Sequence, residues 1–180
     1  MYLRELNEND EFEIMNMIRE FNNEKSSDPF EGIGDFENVS NYKELLKKLE
    51  LNKHIEDVNP KYVSQTTYGM FDKNNHVYGA INIRYCLVDS LLRRGGNIGY
   101  AIRPSERKKG HAKKMLSLAL KKCKELNVNK KSIYENKVLI TCRKANIASA
   151  KTIISNGGKL SKEEYLDDVK ENEQYYWIEI

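Results

Sequence analysis

Between Asn97 and Leu120 the chain reads NIGYAIRPSERKKGHAKKMLSLAL, and these residue types at these spacings suit the binding of an anion. A short apolar strand (Ile98 to Ile102) runs into a proline turn and a basic loop, Arg107-Lys108-Lys109-Gly110-His111-Ala112, where an amphipathic helix begins. The first amides of a helix have no carbonyl partners and point outward with the positive end of the helix dipole. Gly110 and Ala112 carry little or no side chain, so a phosphate can approach the backbone there. The expected ligand therefore carries phosphates. Arg103, Arg107, Lys108, Lys109, Lys113, Lys114 and His111 crowd the same stretch. A solvated helix face explains most basic runs, and nucleic-acid phosphates are another reading. Neither explains why the charges gather on a glycine-bearing strand-to-helix turn.

The elements that must position this turn follow from periodicity. Residues 1 to 6 read as a strand. A helix from about 10 to 22, capped by Asn7 or Asp10, would carry Phe12, Met15, Ile18 and Phe21 on one face. Residues 25 to 39 hold Pro29, Gly32 and Gly34 and read as a loop, and Phe30 and Phe36 give it the grip to fold over a pocket. Ser40 is the expected cap of a second helix with Tyr42, Leu45, Leu46 and Leu49 as its apolar stripe. Residues 64 to 72 and 76 to 87 read as a hairpin turning at Lys73-Asn74-Asn75, and 88 to 96 as a connector. After strand 97 to 102 comes the clearest helix, with Ala112, Met115, Leu116, Ala119, Leu120 and Cys123 recurring at spacings of three and four. Lys137 to Cys142 is a strand of buried type. Ala145 to Asn156 is a helix with Ile147, Ala150, Ile153 and Ile154 on one side, stopped by Gly157-Gly158. Two strands close the chain, near 159 to 165 and 173 to 179. Strands that neighbour each other in sequence, joined by one strand–helix–strand unit, imply a mixed sheet.

Composition narrows the class. The 180 residues suit a single domain, 1–180, able to bury a core without disulfides. Hydrophobic content of 39% against 32% charged excludes a disordered chain. No apolar run reaches the roughly 20 residues that span a bilayer, and the N-terminus lacks the pattern of a secretory signal, so no membrane role and a cytoplasmic location are expected. A net charge of +3 does not by itself argue for nucleic acid. Three scattered cysteines, Cys86, Cys123 and Cys142, fit neither a disulfide framework nor a zinc site, and no metal is expected. They read as small buried apolar residues. The sequence leaves a homodimer open.

The segment Arg107-x-x-Gly110-x-Ala112 after GYAIRP resembles the acetyl-CoA signature of the GNAT superfamily of N-acetyltransferases. Downstream, CRKANIASAKTIISNGGKL resembles the next motif of that superfamily, with Asn146, Ser149 and Gly157 on its Asn, small-residue and closing Gly positions. The likeness covers roughly residues 65 to 180 and is similar to a bacterial branch of uncharacterised predicted acetyltransferases. It implies a mixed α/β fold: a central, mostly antiparallel, twisted sheet of six to seven strands with one parallel splayed pair, flanked by about four helices. It also implies acetyl-CoA as acyl donor and the primary amine of a small molecule or peptide as acceptor, joined in a ternary complex.

On that resemblance the backbone from Arg107 through Lys108, Lys109, Gly110, His111 and Ala112 cradles the pyrophosphate. Ala101, Ile102 and Arg103 pair through their backbone with the pantetheine arm, an amide near Ile102 faces the thioester carbonyl, and Asn146 and Ser149 approach the cofactor. Asn146 is equally a helix N-cap, and the two roles coexist. Many relatives place a tyrosine seven residues after the motif Asn to protonate the leaving thiolate, and here that place is Ile153. Tyr100, Tyr175 and Tyr176 are candidates by element, although with 11 tyrosines packing is the commoner role. No general base stands out: His54, His76 and His111 carry no supporting context, and Asp89 and Glu135 are not distinguished from surface acids. The catalytic residues stay unassigned, and a non-catalytic acyl-CoA-binding regulatory module on the same fold is the alternative.

Overall fold

Strand β1 (Tyr2–Glu5) opens the chain in the computed structural model, which describes residues 1–26, 28–59, 62–130 and 132–180. There follow helices α1 (Glu11–Asn22), α2 (Tyr42–Asn52) and the short α3 (Ile55–Val58), then strands β2 (Gln65–Phe71) and β3 (Val77–Arg84). The short helix α4 (Asp89–Arg93) leads to β4 (Ile98–Ile102), α5 (His111–Glu125), β5 (Lys137–Arg143), α6 (Ile147–Ile154), β6 (Lys159–Leu166) and β7 (Glu171–Glu179). Among the described residues the strands form two antiparallel sheets, ordered β1-β2-β3-β4 and β5-β7-β6. The expected mixed α/β architecture is present, and the four expected helices are joined by two short ones.

The expected splayed pair is β4 and β5. Among the described residues no ladder joins them; the buried Asn97, just before β4, bonds to β5. Its backbone N–H donates to Leu139 O (2.7 Å) and its Oδ1 accepts from Leu139 N–H (3.0 Å). Its carboxamide also exchanges a reciprocal pair of bonds with buried Asn129 (3.1 Å each) and donates to Arg84 O (3.2 Å). Past Asn97 the strands separate, and a cleft opens between them.

The four-stranded sheet is buried on both faces, which explains why β3 is apolar almost throughout. Ile81 and Ile83 share a core with Met115, Leu116, Ala119 and Cys123 of α5, while Val77 and Ala80 share another with α1, α2 and the loop residues Phe30, Ile33 and Phe36. Phe30 and Phe36 are thus buried, and the loop is folded down as its two aromatic residues suggested.

Local assignments shift in four places. The buried stripe of α1 is Ile14, Met17, Ile18 and Phe21, an i, i+3, i+4, i+7 set, and Phe12 is 77% exposed. The cap of α2 is Asn41, not Ser40; the Asn41 carboxamide accepts from Lys43 and Glu44 N–H. The connector 88 to 96 contains α4. On α6 only Ile153 is fully buried, while Ile147 and Ile154 face outward. An eight-residue helix resting on one side against a sheet needs few apolar contacts, so its other isoleucines did not mark a second buried face.

Candidate functional site

Gly110 starts the site. It caps α5 in the left-handed region (φ +82°), which glycine adopts without strain, and a Cβ there would project into open space. Lys108 also has positive φ (62°), so the loop coils tightly before the helix. The backbone amides of residues 108–113 make no intramolecular hydrogen bond among the described residues; the first helical bond is Lys114 N–H to Gly110 O. Six amides without internal partners around one helix start make a concavity suited to an anion.

This concavity is one end of a cleft of about 590 Å³. Of the residues expected there, Ala101, Ile102, Arg107, Lys108, Gly110, His111, Ala112, Asn146 and Ser149 line it. Arg103 and Lys109 do not. Arg103 is buried behind β4, where its guanidinium donates to Glu20 (2.7 Å) and Glu13 (3.0 Å). Lys109 bends back to Ser105 O and Glu106, both at 2.9 Å. Arg107 lines the cleft but spends its fork on Glu24 (2.6 and 2.9 Å) and its Nε on Ile102 O (3.1 Å). The loop is thereby tied to the end of α1. Lys25, Lys108 and Lys113 line the cleft and make no ion pair among the described residues, so the free positive charge is theirs.

Farther in, the cleft floor is the outer edge of β4. Arg103 N–H donates to Tyr78 O on β3 (3.0 Å), so alternation turns the amides of Tyr100 and Ile102 away from β3. The loop backbone at Gly32 (φ +88°) lies against Tyr100, where a Cβ would come within 2.7 Å of the Tyr100 N and O. That contact covers the start of the edge and leaves the Ile102 amide facing the cleft. Asn146 caps α6, its Oδ1 accepting from Ser149 N–H (3.1 Å). The Ser149 hydroxyl is 3.0 Å from the Tyr100 hydroxyl.

Of the three candidate tyrosines, only Tyr100 lines the cleft. Tyr175 donates to Arg93 O (2.6 Å) and Tyr176 to Gln174 (2.8 Å), which directs both phenols elsewhere. Burial pushes the Tyr100 phenol up to about 12, against a smaller downward pull from Ser149. Ile153 is fully buried, so no acid acts from its place. His111 rests against Tyr78 (ring centroids 4.6 Å apart) and 3.6 Å from Glu106, while His76 bridges Glu13 and Glu106. These histidines tie the loop before α5 to β3 and α1.

A second cleft, about 320 Å³, shares Asp28, Glu31, Tyr100, Asn146 and Ser149 with the first. Sequence reasoning missed most of what lines it. Asp28, Glu31, Glu37 and Glu173 face Arg84 and Arg94 there. Arg84 donates to Gly95 O (3.3 Å) and Gly96 O (3.1 Å), and burial lowers its pKa, opposed by Asp35. Glu31 pairs with Arg143 of β5, tying the loop across the gap between the sheets. Cys142 lies in the wall as a free thiol that burial pushes up to about 11. No cluster of metal-ligating side chains occurs among the described residues, and no helix of theirs is long and apolar enough to cross a membrane.

The family described as Acetyltransferase (GNAT) domain matches residues 2–159. Among solved structures, the chain is similar to a ribosomal L7/L12 alpha-N-protein acetyltransferase in complex with coenzyme A, at 17% identity and a TM-score of 0.66, covering 99% of this chain and 93% of that one. It is similar to the ribosomal-protein-S5-alanine acetyltransferase from Vibrio fischeri (16%, TM-score 0.63, 98% and 91%). The dodecameric spermidine N-acetyltransferase from Vibrio cholerae is comparable (17%, TM-score 0.60, 98% and 92%). At these identities the likeness is one of fold. No curated protein matches the chain.

Proposed function

The chain belongs to the GNAT acetyltransferase family, and on that premise we propose that it moves an acetyl group from acetyl-CoA to the primary amine of a small molecule or peptide, with both substrates bound together. The observation that carries this reading is the row of unpartnered amides at 108–113, opening onto a cleft whose floor presents the Ile102 amide.

The amides of Lys108 to Lys113 would hold the pyrophosphate, with Lys108 and Lys113 adding charge. A pantetheine arm would run along the open edge of β4, where the backbone of Ile102 faces out; the backbone of Ala101 is turned to Ala80 of β3, so the expected pairing at Ala101 is not available. The Ile102 N–H then donates to the thioester oxygen, and one such preorganised donor in a dry site contributes about 3 kcal/mol as negative charge develops there. Tyr100 stays protonated at neutral pH, because burial raises its pKa, and its hydroxyl can donate to the departing thiolate. Asn146 and Ser149 fix the position of that phenol. Arg107 and Arg103 act at one remove, by holding the loop and β4 against α1.

The second cleft would receive the acceptor. Four carboxylates against two guanidiniums favour a cationic amine over an anionic one. The structural neighbours named for spermidine and for ribosomal-protein termini bracket the range of amines worth assaying.

Free-thiol release from acetyl-CoA, measured against polyamines, amino acids, aminoglycosides and peptides, tests the reading. Turnover with one class of primary amine supports it. Saturable coenzyme A binding without turnover across that panel would instead favour an acyl-CoA-binding module. Absence of coenzyme A binding would remove both.

A further inference from the structure

Glu173 stands near the start of β7, the middle strand of its sheet, between Arg143 of β5 and Glu164 of β6 in the register, yet it is only 2% exposed. It lines the second cleft, and among the described residues its Oε2 has no hydrogen-bond partner, Thr141 being the one side chain whose hydrogen bonding bears on the carboxyl. Arg94 comes nearest in charge, with Nε at 4.0 Å, beyond hydrogen-bond reach. A buried carboxylate oxygen with no donor is costly, and folds keep such groups where a ligand or a proton completes them. Resting on the acetyl-transfer reading of this cleft, we propose that Glu173 is the proton acceptor for the incoming ammonium of the acceptor substrate.

The surroundings suit that task. Burial raises the Glu173 carboxyl above the usual glutamate range, with Thr141, Arg94 and Arg143 pulling it down and Glu31 pushing it up. Of the other groups around it, Arg143 is held by Glu31, Glu164 pairs with Lys162, and the Tyr175 phenol is bonded to Arg93 O. Cys142 is a protonated thiol at neutral pH. That leaves Glu173 as a base nearer neutrality than an exposed carboxylate, and closer to the pKa match that general-base catalysis rewards. It also shares its cleft with Tyr100 and Ser149, the wall in common with the cofactor cleft.

The step balances without a further reactant. One ammonium proton passes to Glu173, and the freed nitrogen lone pair forms the C–N bond at the thioester carbonyl. As the C–S bond breaks, a second proton from that nitrogen neutralises the sulfur through the Tyr100 hydroxyl. Glu173 then returns its proton to solvent.

The test compares the full-length protein with Glu173→Gln on any amine the wild type acetylates, from pH 6 to 10. The expected result is a kcat/KM lower by about 10²-fold at pH 7, a loss that shrinks as the pH nears the amine's own pKa, and a coenzyme A affinity within about twofold of wild type. An unchanged rate and an unchanged acid limb would overturn the proposal while leaving acetyl transfer intact. A wild type that acetylates no amine overturns the acetyl-transfer reading and the proposal with it; if only the variant fails to fold, the wild type still decides through NMR of carboxyl-labelled glutamate, assigned with Glu173→Asp. A Glu173 midpoint above the ordinary value of about 4.3 that falls on adding n-butylamine supports the proposal; an ordinary midpoint, or one that n-butylamine does not move, overturns it.

Discussion

The two clefts that share the Tyr100–Ser149 wall are built in opposite ways. The larger has at one end the unpartnered amides of six successive residues, 108–113, so the groups proposed to face an anion there are backbone amides. The smaller takes its charges from residues scattered between Asp28 and Glu173, on a loop, two strands and the end of a short helix, and those groups are side chains. The first depends on one local conformation. The second depends on how two sheets and a loop come together. A single backbone change should therefore disable the first, whereas the second should yield by degrees.

Gly110→Val is the sharpest way to break that contrast. The substitution forces a β-branched residue to φ +82° and projects its side chain into the space above the free amides. Coenzyme A affinity should fall by roughly 10²- to 10³-fold, about 3–4 kcal/mol, in calorimetric titration. The fold itself should lose only about 1–2 kcal/mol, because nothing in the protein lies within 4 Å of the added Cβ. Retention of affinity within about threefold would show that the amides are not where the diphosphate sits.

Asn97→Ala strikes the seam instead and should hurt both clefts through the fold. Its carboxamide joins Leu139 and Asn129 in a fully buried setting and reaches Arg84 O at its margin. Truncation leaves the Asn129 Oδ1 and the Leu139 N–H without partners, while Asn129 Nδ2 keeps its bond to Lys137 O; the loss of about 2–3 kcal/mol lowers the melting temperature by roughly 4–12 °C in a chain of this size. A smaller drop would mean that the sheets are held together mainly by the apolar core around Val138 and Ile140.

The same contrast governs what was legible in the chain. Residues 107–112 announce an anion turn because strand, glycine and helix start are contiguous, and Asn146 and Ser149 follow on one short helix. Glu173 carried no such signal. In ENEQYYWIE it reads as one acid among several on a polar strand, and only the pairing of β7 between β5 and β6 buries it. Arg103 failed the other way: its charge looked like part of the basic run, but its strand position turns it to the far side of the sheet, onto Glu13 and Glu20. Periodicity places elements well where one face is buried. It misplaced the stripe of α1, where Phe12 lies on the side of the helix opposite the buried arc, and it did not register the short α4.

Tyr100→Phe sharpens the comparison at the shared wall. The phenol hydroxyl touches Ser149, so its removal should leave coenzyme A affinity within about twofold while kcat falls about tenfold, with water as a poorer donor in its place. The pKa of about 12 means that the donor form persists throughout the usual assay range. The deficit should hence be constant from pH 6 to 9. A deficit that varies across that window would place the donated proton on another group.

Glu31→Gln should have the smallest effect and is the most discriminating for the architecture. Glu31 lines both clefts and pairs with Arg143, but both partners are about a quarter or more exposed, so the pair is worth no more than roughly 0.2–1 kcal/mol. Loosening the loop should raise the KM of the amine about two- to threefold and leave coenzyme A binding unchanged, because the loop closes over the cleft that scattered side chains build and only borders the one that backbone builds. Equal shifts in both constants would mean that the loop couples the two clefts into one unit. In that case Gly32, packed on the Tyr100 backbone, rather than the Glu31 ion pair, is the contact through which they communicate.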